Sequence, residues 1–585
     1  MFKSCSPYIK MFCEKGVNWH FSLTEELLNK VQQEDKMIFL HIGYISNVGI
    51  RESSLELFKD ERVQKTLNDN FVSLIEDKED KPESFLLALD LMFINNEFSY
   101  GPMNMFIMPD RRPIVAFSEC DPENFLTIAQ TLLRVKEEKR ERLNDLAETL
   151  SISALNTGII KDISNPTPIS KILMEQYVDS WFYQMFNNGF IYKTKPFTPN
   201  PSALNTILDY ISSSGNKKYM KKTEEILDHL QFSALFDVVD GGFFRQAQDY
   251  SCSFPLYEKT LEENSRFLML YSAAFKLFNK ESYRTTANLI FQFISNELKS
   301  NQGGYVNSTT ILDKVENIDY YFYSLNEIKI LFPTDYKEIS DALGINSETD
   351  LFTKKALQRK DNTYKIITKP NLKMLRDRRS EHRGYYKDNR IITSSNATLV
   401  SALALASQYL NDIDLYKSAV ETFEFIVYNN VDSSDGRLYR YTCNNEKYLK
   451  GYLSDYSYFI QASLNLYKVF KNKEFLSVAI NYTDFLMQNF FKKENGMFGK
   501  SEIGPNHETI PFKRESNLDI VRPSGNSIMA GNLIDLFEIT NNKRYLDIAR
   551  SQIENITPNL VGSSIFLSSW ANKIDKYLNS PIIPE

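Results

Sequence analysis

The sequence predicts a multidomain chain, a small α/β domain followed by an all-α ring of six helical hairpins, an (α/α)6 toroid. Three observations carry this prediction. Short β-rich apolar runs alternate with helical stretches between residues 37 and 138. Asn165-Pro166-Thr167-Pro168 then breaks helices on both sides. From 169 onward, aromatic and aliphatic positions recur at three and four, with Gly, Asn, Asp or Pro in the links.

Within the first part, Ser22 is placed to cap a helix over SLTEELLNKVQQEDK, with Glu25 at the capping-box position. MIFLHIG (37–43) has the composition of a buried strand, a helix from about 53 to 69 follows, and NFVSLIE (70–76) is a second strand. Pro82 opens a helix through Leu91, and MNMFIMPD and PIVAFS form a hairpin about Asp110-Arg111-Arg112 before a helix over 122–138. Strand, helix, strand, helix, hairpin, helix is the thioredoxin order, whose chemistry sits where the first central strand meets the next helix. The charge run KEEKRERLND (136–145) reads as a solvated helix face. The expected division is a thioredoxin-like domain over 1–150, a linker over 151–168 and the toroid over 169–585.

About twelve helices are expected in the second part, at 169–187, 200–213, 217–233, 258–278, 280–299, 317–331, 393–411, 413–429, 452–470, 472–492, 524–541 and 542–556. Their pairs recur every 60 to 70 residues, as hairpins repeated around a ring do. The alternative is an open α-solenoid, but long aromatic loops such as Asp361–Tyr386 and Phe491–Val521 look more like site-building insertions than repeat links.

With 42% hydrophobic and 13% aromatic residues, the 585-residue chain can bury a large core. A formal net charge of −7 and a pI near 5.6 give no concentrated basic face, so no nucleic-acid partner is expected. The basic stretch MLRDRRSEHR (374–383) is short and interrupted, a solvated loop or a grip for an acidic partner. Five scattered cysteines without a C-x-x-C indicate neither a disulfide framework nor a thiolate zinc site. No apolar run is long enough to span a bilayer and the opening residues lack the apolar core of a signal peptide, so a cytoplasmic protein without membrane contact is expected. No H-E-x-x-H, Walker loop, dinucleotide fingerprint or Gly-x-Ser-x-Gly elbow occurs, and neither a metal nor another cofactor is expected. The histidines His20, His41, His229, His382 and His507 are scattered and read as ordinary structure.

The stretch Phe236–Asn264 has the composition of a site-forming loop. Asp240-Gly241-Gly242 is turn chemistry, Phe243-Phe244 begins a short strand, and Glu258 and Glu262 are spaced to stack one turn apart on the next helix.

Several of these segments resemble the spermatogenesis-associated thioredoxin-domain family, in which a thioredoxin-like domain precedes a six-hairpin glycosidase-like toroid. Leu40, Ile42, Gly43 and Tyr44, then Glu56, Phe58 and Asp60, hold the register of its first domain. The family's Cys-His-Trp-Cys-His run falls on Asn47, Val48, Gly49, Ile50 and Arg51, so both thiols are gone, and Pro102 falls where that fold usually places a cis-proline. Thiol–disulfide exchange needs a thiolate, so redox activity is not expected, and Asn47 to Arg51 form either a partner-binding groove or a packing layer. In the second domain the resemblance runs through Gly241-Gly242-Phe243-Phe244-Arg245, Pro255 to Leu261, Glu262-Glu263-Asn264, Ile391 to Asn396, Leu453 to Tyr456 and Pro523 to Ser527. Two of the family's histidines have become Phe244 and Leu256.

That resemblance implies a site in the ring's central funnel, of the kind used by sugar epimerases, isomerases and glycosidases. Epimerisation needs paired bases of near-neutral pKa, which are missing at the matching positions. Hydrolysis needs only two carboxylates, and Glu258 and Asp455 are the candidates. Asp237, Phe243, Arg245, Tyr257, Asn264, Asn396, Tyr456 and Asn526 are candidate substrate-binding residues around them. Three functions stay open. The chain is a diverged pseudoenzyme that binds a sugar-like or other small molecule, with its first domain docking a protein partner; an active glycoside hydrolase or epimerase; or a non-catalytic scaffold.

Overall fold

A computed structural model describes residues 5–13, 16–94, 101–156, 169–187, 196–311, 320–345, 353–381, 386–502, 518–519, 522–560 and 567–580. These form two compact units, one within Met1–Lys161 and the other within Asp162–Ser501 and Ser516–Glu585.

The first unit is a thioredoxin-like α/β domain. Its sheet has the order β1 (Trp19–His20), β3 (Phe71–Asp77), β2 (Met37–Gly43), β4 (Met103–Ile107), β5 (Pro113–Phe117). β2 runs parallel to β3 and antiparallel to β4, and β4 and β5 are the expected hairpin. Every residue of β2 and β3 is buried, as in a sheet covered on both faces. Phe39 packs edge-on against Phe125 and Phe58 at the centre of the core.

Two details differ from expectation, both through capping. Thr24, not Ser22, caps the first long helix, accepting the Leu27 amide at 3.2 Å. The expected helix over 53–69 is two helices, Val48–Lys59 and Glu61–Asn70. Asp60 between them has extended backbone, and its carboxylate accepts the Arg62 amide at 2.8 Å, which starts a new helix in place of another turn.

The second unit is a closed toroid. Its inner helices are Pro201–Ser214, Leu261–Phe278, Thr393–Leu410, Leu453–Phe470, Gly525–Thr540 and Ser568–Asn579; each packs against the next, and the last packs against the first. The outer helices Met220–Phe232, Glu281–Phe293, Ile413–Asn429, Lys473–Asn489, Lys543–Ile556 and Lys171–Asn187 back them in the same order. Thr393–Leu410 is buried nearly all round, as an inner wall must be, and it is rich in Ser, Ala and Thr. Five inner helices end on a left-handed residue, Gly215, Asn279, Asn411, Lys471 or Asn541, so the chain reverses at once into its outer partner.

The sixth pair is not a sequence hairpin. Ser568–Asn579, missing from the expected helices, closes the ring against Lys171–Asn187 from the start of the unit. The expected helix over 317–331 is instead Leu325–Leu331 among the described residues. It belongs to a satellite core with Ile339, Leu343, Ile345, Leu357 and Leu375. Asp361–Tyr386, expected as a loop, contains the helix Lys369–Ser380.

No helix among the described residues is long and apolar enough to cross a membrane.

Candidate functional site

In the ring, each inner helix starts where a loop returns from the preceding outer helix. Four of these loops turn on a glycine with positive φ, Gly241 (80°), Gly303 (86°), Gly436 (72°) and Gly496 (68°), a conformation that side chains with a Cβ rarely adopt. Two residues later the loop is held by the first turn of the next inner helix. Asn264 accepts the Phe243 amide at 2.7 Å and donates to the Phe243 carbonyl at 3.0 Å. Asn396 does the same to Tyr305 at 2.9 and 2.9 Å, and Asn526 to Phe498 at 2.9 and 3.0 Å. In the fourth loop the Tyr456 hydroxyl accepts the Leu438 amide at 3.0 Å. Four of the candidate binding residues therefore hold loop backbone. Phe243 is core, stacked on Phe267 with centroids 4.0 Å apart.

The acidic candidates stand beside cations. Glu258 is 2% exposed and meets Arg245 at 2.9 Å, and Arg245 also reaches Glu263 at 3.3 Å. Asp455 is fully buried; it accepts from Arg440 at 2.7 Å, from the Tyr452 amide at 2.9 Å and from the Ser394 amide at 3.2 Å, so it caps its own helix and grips the start of its neighbour. Each candidate carboxylate is thus engaged by its own arginine. Asp237 lies between Lys259 at 2.5 Å and a two-point Arg379 contact at 3.0 Å. Burial pushes its carboxyl up, but Arg379 and Lys259 outweigh that and hold it well below the usual range. Arg379 also meets Asp240 at 2.5 Å, and Arg378 is paired with Glu327. These arginines of the basic stretch are buried intramolecular ties, not a solvated loop; His382, and His507 elsewhere, lie outside the described residues.

Glu258 and Glu262 do not stack on one helix. Thr260 caps the helix, accepting the Glu263 amide at 3.2 Å, and Glu258 lies before it. Glu262 instead heads a cluster that the sequence reading passed over. It meets Arg266 at 2.8 Å and Arg522 at 2.9 Å, Arg266 donates to the Tyr458 hydroxyl at 2.9 Å, and Tyr458 donates to the Pro523 carbonyl at 2.7 Å. Arg522 also reaches the Ser394 and Ser454 hydroxyls, each at 3.3 Å, and Arg440 donates to Ser394 at 2.9 Å. Burial would raise the Glu262 carboxyl, yet the Arg522 and Arg266 guanidiniums hold it at about 2. Arg522 and Glu262 retain side-chain exposures of 23% and 15%, so the cluster at the helix N-termini is partly accessible. The Glu262–Arg266 spacing was the available sequence signal.

Tyr257 is half-buried and lies 5.5 Å from Tyr321, nearly parallel to it, with Phe322 edge-on at 5.6 Å. Phe244 packs edge-on against Tyr321 at 5.0 Å. His229 Nε2 donates to the Tyr250 carbonyl at 2.8 Å, and the imidazole stacks on the Tyr250 ring. Among the described residues no group of His, Cys, Asp and Glu is arranged to hold a metal ion.

In the α/β unit, Asn47 caps the helix Val48–Lys59 through the Ile50 amide at 3.2 Å. Ile50 is 3% exposed and lies against Gly101, which precedes Pro102 through a cis peptide bond. Arg51 is buried and donates to the Ile45 carbonyl. Behind the strand, Tyr8, His41 and Asn104 form a buried chain with contacts of 2.7 Å on either side of the imidazole, and burial holds His41 down at about 4.

Residues 1–155 match the family model Thioredox_DsbH, described as a protein of unknown function. Spermatogenesis-associated protein 20 of Rattus norvegicus is 23% identical over 93% of this chain and 76% of its own length. An uncharacterized protein of Caenorhabditis elegans is 21% identical over 98% of this chain and 85% of its own. Among solved structures, a D-mannose isomerase aligns with a TM-score of 0.46 and 10% identity, covering 71% of this chain and 99% of that one. The chain is thus similar to the spermatogenesis-associated proteins over nearly its whole length, and its first unit matches the Thioredox_DsbH model.

Proposed function

We propose that the protein is a diverged pseudoenzyme that binds a sugar-like or other polar small molecule at the N-terminal rim of its helical ring without processing it, the redox-inactive first unit serving as a docking element. The supporting observation is the state of the rim carboxylates. Glycoside hydrolysis needs one carboxyl held protonated opposite an ionised one. Here Glu262 and Asp237 are held ionised by guanidinium groups, and Glu258 and Asp455 are each tied to an arginine. What the rim offers a ligand is hydrogen bonding suited to a polyol: the partly open Arg522, the Ser394 and Ser454 hydroxyls beside it, and Glu262.

A thermal-shift screen of mono- and disaccharides and glycosides tests this reading. A ligand at 100 times its dissociation constant stabilises by about 2.7 kcal/mol. Arg522→Ala is expected to abolish the shift, with no turnover of the bound sugar. Turnover that disappears in both Glu258→Gln and Asp455→Asn would establish the enzyme instead. Silence toward every sugar would leave the scaffold.

A further inference from the structure

A polar cavity lies in the toroid, lined by four of the inner helices. Its volume is about 370 Å³, within the range of small-molecule sites, and its wall includes Asp209, Gln461, Asp535, Asn572, Lys573 and Lys576. Lys468 joins the same group, for Lys468 and Lys576 both pair with Asp535, and Lys576 also reaches Glu538 at 3.6 Å. Lys573 differs from its neighbours. Among the described residues its ammonium has neither a hydrogen bond nor an ion pair. Room for it is built into the facing helix: a Cβ on Gly531 would stand 3.0 Å from its Cε and 3.1 Å from its Cδ. A glycine inside a helix is disfavoured relative to alanine, so the space is made against local preference.

We propose that this cavity is a carbonyl-binding site in which Lys573 forms a reversible imine with a small hydroxylated aldehyde or ketone. Burial lowers the Lys573 pKa and the Lys468 charge lowers it further, while Asp209 and Asp519 oppose this; Lys576 and Lys468 are lowered as well. A desolvated amine beside other cations is the setting in which lysine becomes a nucleophile near neutral pH. The amine lone pair attacks the carbonyl carbon, and the carbonyl π pair becomes an oxygen that takes up a proton. Water then leaves as the C=N bond forms, and no electrons are gained or lost. Asp209, whose carboxyl is raised by burial and which accepts from Asn572 at 2.6 Å, is placed on the same wall to supply the proton for water loss. Asn572, Gln461 and Ser213 offer hydrogen bonds to the ligand's hydroxyls. This reading does not depend on the one given for the rim.

The test is trapping of the full-length protein with glyceraldehyde and cyanoborohydride at pH 7, followed by peptide mass spectrometry. Lys573 is expected to be labelled several-fold faster than the exposed Lys471 and Lys493. Lys573→Met should remove the label without passing it to Lys576. Asp209→Asn should slow labelling, and Gly531→Ala, which displaces the lysine stem, should reduce it while the fold is intact by circular dichroism. Equal labelling of Lys573 and the surface lysines, or none at Lys573, overturns the proposal, and this wild-type ratio stands even where a variant does not fold.

Discussion

The α/β unit and the toroid treat their candidate site positions in opposite physical ways. In the α/β unit the reactive positions are filled by groups that close the site: Asn47 turns a helix N-terminus into an ordinary cap, Ile50 packs, and Arg51 is buried on a carbonyl. In the toroid the acidic groups are present, each paired with a guanidinium group. A position filled by packing presents no charge to disturb, whereas a paired acid keeps a charge balance that one substitution changes. The toroid is therefore the unit in which single substitutions should have large and pH-dependent effects.

The largest expected effect follows from breaking that balance outright. Arg379→Ala leaves Asp237 buried with Lys259 as its remaining cation and removes the Asp240 contact; the toroid should lose about 3–5 kcal/mol, read as a lower urea midpoint. A loss below 1 kcal/mol would show that the charges are solvated and that the comparison between the units fails.

Next is acid sensitivity at the rim. The Glu262 carboxyl is held at about 2 in the folded protein against an ordinary value of 4.5, so its stabilisation is complete above pH 4.5 and is lost as pH falls toward 2. The amount is on the order of 3 kcal/mol. Glu262→Gln should flatten the stability curve within that window. An unchanged acid limb would place the guanidinium groups elsewhere in solution.

Substituting a loop clamp has a smaller effect, and no pH dependence is expected. Asn396→Ala leaves the Tyr305 amide and carbonyl buried without their partner and should cost about 2 kcal/mol at any pH where the protein folds. Denaturant titrations at pH 5 and pH 8 would separate this behaviour from that of an ionised group.

How much of this was legible in the sequence depends on the range of the interactions. The helical hairpins show in local periodicity, and the thioredoxin order shows in short apolar runs. The closing helix SSWANKIDKYLN is short and polar, and its ring role depends on a partner at the far end of the unit, so periodicity passes it over. The clamp has a written signal, the returns DGGFF, QGGYV, DGRLY and NGMFG, each with a glycine two residues before the clamped position. Their wide and irregular spacing hides them from a scan for helices. The ion pairs divide in the same way. Glu262–Arg266 is one helical turn, but Arg522 is 260 residues from Glu262, and only ring closure brings them together. Asp455 could be picked out as an acid, but its neutralisation by Arg440 through a hairpin strand could not.

The smallest effect sharpens the comparison from the α/β side. If Asn47 acts only as a cap, Asn47→Ala should cost about 1 kcal/mol, because the Ile50 amide loses its acceptor. Asn47→Asp keeps the acceptor and adds negative charge at a helix N-terminus, so stability should hold or rise by about 0.5 kcal/mol. Neither variant should gain disulfide reductase activity with a dithiol donor, since neither restores a thiolate. A residue kept for a partner-binding groove behaves differently, as its removal leaves stability unchanged while altering binding. An Asn47→Ala protein as stable as the parent would therefore move this position from packing to recognition, and the contrast between the two units would fall.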